Sequence, residues 1–132
     1  MNLWKSLSVA ALCVTTVSAF AIPPRAFITN NTTGVESNAF IDGTIPSAHP
    51  THPYASNAVS WVAVRMMCFN HAPNNNCTAV VKMETNTAEP KVIGQVTMNL
   101  VTGDITPKMI TGNGYSLVVD GPGKVTLYKV AG

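Results

Sequence analysis

The chain predicts an all-β fold, a small β-sandwich or β-barrel of about seven strands held by one disulfide and preceded by a cleaved signal peptide. Three observations carry that reading. After residue 22 no window sustains an apolar period of 3.6, whereas alternation with period two recurs. Turn formers break the chain at intervals that suit strands. Two cysteines, Cys68 and Cys77, stand nine residues apart in a chain that begins like an exported one.

The leader comes first. Lys5 precedes an uncharged, mostly apolar run from Leu7 to Val17, and small residues then offer cleavage after Ala19 or after Ala21. The run is shorter than the roughly 20 residues a bilayer span requires, so residues 1–21 read as a secretory signal peptide. Residues 22–132 then form a single all-β domain, with localisation secreted, either extracellular or periplasmic. Cys13 leaves with the leader, and the even pair Cys68 and Cys77 is expected to oxidise. Closing their loop of about ten residues restricts the unfolded chain by about 2.5–3 kcal/mol.

The strands follow in order. Short ones are expected at residues 26–29 and 39–41. Residues 58–69 alternate with both faces largely apolar, as an interior strand covered on both sides would. From Cys77 to Thr85, Cys77, Ala79, Val81 and Met83 share one face while Thr78, Val80, Lys82 and Glu84 share the other. Each cysteine falls on its strand's apolar face, which suggests a hairpin stapled across the base of its loop. In residues 91–102 Val92, Gly94, Val96, Met98 and Leu100 face one way, opposite Lys91, Ile93, Gln95, Thr97 and Asn99. Thr102-Gly103-Asp104 reads as a turn, and Pro107 makes the next stretch an edge or irregular strand. Residues 115–120 and 124–130 form a hairpin around Asp120-Gly121-Pro122-Gly123. Residues 46–56 hold Pro46, Pro50 and Pro53 with His49 and His52, and read as an extended connecting loop.

The meander from Val96 to Tyr128 (Val-Thr-Met-Asn-Leu-Val-Thr-Gly-Asp through Tyr115-Ser-Leu-Val-Val-Asp-Gly-Pro-Gly-Lys-Val-Thr-Leu) resembles the first three strands of OB-fold domains. The resemblance covers a quarter of the chain, and it keeps a barrel beside the sandwich.

Charge excludes one class of partner. The chain has 8 Lys and Arg against 6 Asp and Glu, and loss of Lys5 leaves 7 against 6. The remaining cations are scattered singly, so no basic stripe exists to bind nucleic acid, and no second apolar run predicts membrane insertion of the mature chain. The chain contains no Gly-x-Ser-x-Gly elbow, no His-Glu-x-x-His and no phosphate-binding glycine loop. Among the carboxylates, Asp42, Asp104 and Asp120 lie next to glycines, where turn geometry accounts for them.

These residues predict a non-enzymatic binding protein with no cofactor and an unknown partner, a protein, a glycan or the cell envelope. The contact surface expected is the disulfide-closed loop, through Phe69, Asn70, His71 and Pro73, because a closed loop loses less entropy on binding. A histidine-dependent metal-binding protein, using His49, His52 and His71, is the alternative. A third is assembly through strand edges, with residues 25–29 pairing to a neighbouring subunit. Two Asn-x-Thr stretches, at residues 30–33 and 76–78, are turn-forming segments in a bacterium and acceptor sites only in a eukaryote.

Overall fold

Inward residues alternate along strands that pair into two sheets, and the computed structural model describes this arrangement for residues 22–130. The leader expected over residues 1–21 lies outside the described residues. The first half of the domain contains β1 (Ala26–Asn31), β2 (Ser37–Ile41), β3 (Ile45–Pro46) and β4 (Ser56–Ser60), followed by a helix α1 (Trp61–Met67). A 3-10 turn at Pro73–Asn75 leads into β5 (Asn76–Met83) and β6 (Lys91–Asn99). Next come β7 (Ile105–Thr106), β8 (Met109–Gly112), β9 (Tyr115–Gly121) and β10 (Lys124–Lys129).

One sheet runs β4-β1-β10-β9-β8 and the other β3-β2-β5-β6-β7, a sandwich of two five-stranded layers. All pairings are antiparallel except β1 with β10, which run parallel from Ile28 opposite Lys124 to Asn31 opposite Leu127. Between the layers, Met83, Ile93, Ile105, Leu117, Val125 and Leu127 pack as one cluster. A second cluster, with Ile41, Val59, Trp61, Val64, Leu100 and the two cysteines, sits under α1. Buried Asn31 ties the loops to this frame: its amide donates to the carbonyls of Val35 at 2.7 Å and His52 at 3.1 Å, and its oxygen accepts from Thr33.

Several sequence expectations stand. The strands at residues 77–85, 115–120 and 124–130 are β5, β9 and β10, and the stretch after Pro107 is β8, an edge strand. Others need correction. Residues 61–67 are helical, because Trp61, Val64 and Cys68 are spaced to bury one helix stripe and the Ser60 hydroxyl caps the first turn by accepting from the Ala63 N–H at 3.2 Å. A short run apolar at nearly every position fits either period, so alternation could not decide.

In β6 a bulge opposite Val81 and Lys82 turns Ile93 into the core, and Val92 faces solvent instead. Ten strands replace about seven, since β3 and β7 are two-residue pairings beside prolines, too short to show a period. The OB-like meander is divided between the two layers, β6 and β7 in one and β8 to β10 in the other, so the domain is a sandwich and the barrel reading falls. Strand β1 is paired on both sides, so residues 25–29 offer no free edge for assembly with a neighbour.

Candidate functional site

The two cysteines meet, but the bond is not a hairpin staple. Cys68 is the C-cap of α1 and Cys77 is the second residue of β5, with Cα atoms 5.9 Å apart, so the disulfide fastens the end of a helix to a central strand. Both cysteines are buried. The other end of α1 is held by Trp61, whose indole N–H donates to the Leu100 carbonyl at 3.0 Å in a buried bond. Fixed at both ends, the helix turns a second stripe outward. Val62 and Met66, at i and i+4, are 69% and 72% exposed, Phe69 in the turn just past the C-cap is 73% exposed, and Arg65 is exposed beside them.

The loop after the helix is ordered by its own residues. Asn70, Asn74 and Asn75 adopt φ of 66°, 55° and 62°, a left-handed region that asparagine tolerates better than other side chains. The asparagine run is therefore a geometric device. The Asn75 carbonyl accepts from the Leu100 N–H at 2.8 Å, which ties the loop to the turn after β6. Phe69, Asn70 and Pro73, with Arg65, border a shallow depression at the surface. His71 pairs through Nδ1 with Asp42 Oδ2 at 2.6 Å.

The histidines expected to share a metal are not brought together. His71 is engaged by Asp42, while His49 and His52 lie on the Pro-rich loop, and among the described residues no cluster of three His, Cys, Asp or Glu side chains stands ready to hold an ion. The carboxylates are likewise dispersed. Glu36 accepts from the Thr85 hydroxyl, Asp42 pairs with His71, Asp104 with Lys108, and Asp120 accepts from the Thr126 hydroxyl. Glu84 accepts from the Tyr115 hydroxyl at 3.0 Å. Burial, with the bond to Glu84 and its charge, raises the Tyr115 phenol above its ordinary value.

Sequence reasoning picked out Phe69 but missed Val62 and Met66, which it placed on a strand face. Ser60 ahead of Trp61, with Val64 and Cys68 three and seven residues beyond the tryptophan, was the available signal.

Fold and surface together define a small disulfide-bonded β-sandwich that turns one apolar helix face to solvent. The chain belongs to the family described as "T2SS substrate NttC", which matches residues 1–130. A crystal structure of the Legionella pneumophila type II secretion system substrate NttC is similar, with 53% sequence identity and a TM-score of 0.79. That match covers 80% of this chain and 98% of the other. No curated protein matches the sequence. Family membership agrees with the export read from the leader: this is a secreted protein.

Proposed function

We propose that this chain is itself a type II secretion substrate, freed of its leader after Ala19 or Ala21, that works outside the cell by binding a protein rather than by catalysis. The observation that carries the proposal is the Val62–Met66–Phe69 stripe. Val62 and Met66, one turn apart on an exposed helix, with Phe69 just past its C-cap, form the kind of apolar stripe with which a helix enters a groove on another protein. The disulfide and the Trp61 hydrogen bond fix the helix before any partner arrives, so little entropy is lost on docking. Arg65 adds a guanidinium at the rim, a side chain favoured in such contacts. A glycan fits less well, because two of the three anchors are aliphatic or thioether and offer no hydrogen bonds. The scattered engagement of the carboxylates supports a non-enzymatic role.

The test is affinity capture with the mature protein, comparing the wild type with Val62→Ser/Met66→Ser/Phe69→Ser. The expected result is a partner that binds the wild type directly when purified and is lost from the folded triple variant. An unchanged set of partners would remove this face from the function.

A further inference from the structure

The inward positions of β1, β2 and β5 carry Thr29, Ala39 and Ala79. Packed sheets stand about 10 Å apart, and such short side chains cannot meet across that distance. The gap they leave is a cavity of about 100 Å³ between the layers, walled by Phe27, Val59, Val96, Met98 and Leu117. Phe27, Val96 and Met98 pack against the core clusters on one side and are only half-buried, so their other side walls the space.

Water has little to hold it there. Every buried side-chain nitrogen and oxygen among the described residues already has a partner, and Ser37 spends its hydroxyl on the Lys82 carbonyl at 3.0 Å. A water needs about two to four polar contacts to settle in a cavity, whereas an apolar cavity of about 150 Å³ stays dry and takes benzene.

One end of the cavity is different. Asn38, Ser47, His49 and Asn57 line it there, and His49 is exposed, so the space reaches the surface. The Pro-rich loop crosses this opening, held by Asn38 donating to the Ser47 carbonyl at 2.8 Å and Asn57 donating to the His49 carbonyl at 3.2 Å. An apolar chamber with a polar mouth is shaped for a molecule of the same polarity. The geometry points to a binding site for the hydrocarbon chain of a small amphiphile, its chain between the sheets and its polar head among Ser47, His49 and Asn57. This site is separate from the helix face and does not rest on the protein-binding reading.

The experiment titrates straight-chain alkanoates, from butanoate to decanoate, into mature protein while following methyl NMR signals. The expected result is saturable shifts at the methyls of Val59, Val96 and Leu117. Affinity rises about fourfold per added methylene until the chamber is full, then levels off. Ala79→Leu, which fills the space, is expected to weaken binding more than about tenfold while the spectrum stays that of a folded domain. If that variant does not fold, Ala39→Ile gives the same reading. The Val62→Ser/Met66→Ser/Phe69→Ser variant keeps its alkanoate binding, which separates this site from the proposed protein interface. Absence of saturable shifts at the cavity methyls, shifts confined to the helix face, or full affinity in the filled variants would overturn the assignment.

Discussion

The two side edges of the sandwich are built in opposite ways. At the β6/β8 edge the layers nearly touch. A Cβ on Gly112 would come within 2.5 Å of the Ile93 carbonyl oxygen, and one on Gly94 would meet Ile110 at 3.3 Å. At the β2/β4 edge the layers stand apart around an apolar cavity, spanned by the Pro-rich loop and flanked by α1 with its disulfide. At the closed edge Ile93 is buried and Gly94 and Gly112 let the layers close, with Val92 and Met109 left singly at the surface. The open edge leaves both a chamber and an apolar helix face that packing does not use. Surfaces that stability does not require are where binding is to be sought.

The largest effect is expected where the closed edge has no slack. Gly112→Ala places a methyl group against backbone that cannot yield, and should cost about 3 kcal/mol in urea denaturation. An equally large loss from Ala79→Leu, where three carbons enter a cavity, would break the contrast between the edges.

Next comes the bond that secures the open edge. Cys68→Ser/Cys77→Ser should lower stability by about 2.5–3 kcal/mol, read as the unfolding free energy extrapolated to water with the slope fitted for each protein. A much smaller loss would mean that Trp61 alone holds α1 in place. Ser60→Ala removes the helix cap and should cost about 1 kcal/mol, whereas Ser60→Asp should largely retain it.

Smaller still is the stability change from Val62→Ser/Met66→Ser/Phe69→Ser, within about 0.5 kcal/mol per site, because these side chains bury little in the domain. Substantial unfolding of that variant would show that the stripe belongs to the fold.

The last effect is read only at alkaline pH. Tyr115 holds its proton more tightly in the folded state than in the unfolded one, so its contribution is complete below about pH 10 and is lost as pH rises through the raised native value. Urea midpoints should fall as pH rises above about 10, and Tyr115→Phe should flatten part of that fall.

The strands after α1 were the more legible, apart from β6, whose bulge reversed the faces of Val92 and Ile93. Cys77, Val81 and Met83 alternate with Thr78, Val80 and Lys82, and β5 buries the first set as that alternation requires. Pro107 lacks the N–H an interior strand must donate, and β8 after it is an edge strand. Asp120 to Gly123 bend the chain between β9 and β10 because glycines there permit a tight turn. The candidate site was legible in part. Phe69 and the cysteine pair could be picked out, but Val62 and Met66 could not, since residues 61–67 are apolar at nearly every position and carry no unambiguous period.

Local chemistry thus set which segments extend, where they turn and that two thiols in an exported chain would join. Pairings between distant segments were decided only in the folded molecule. The parallel contact of β1 with β10 and the division of the final meander between two layers depend on residues far apart in the chain. The helical fate of residues 61–67 required a core for Trp61, Val64 and Cys68 to enter. The cavity arises because Thr29, Ala39 and Ala79, each unremarkable in its own strand, come to face one gap. Periodicity is a property of neighbours along the chain, whereas volume between sheets is a property of strands that meet only on folding.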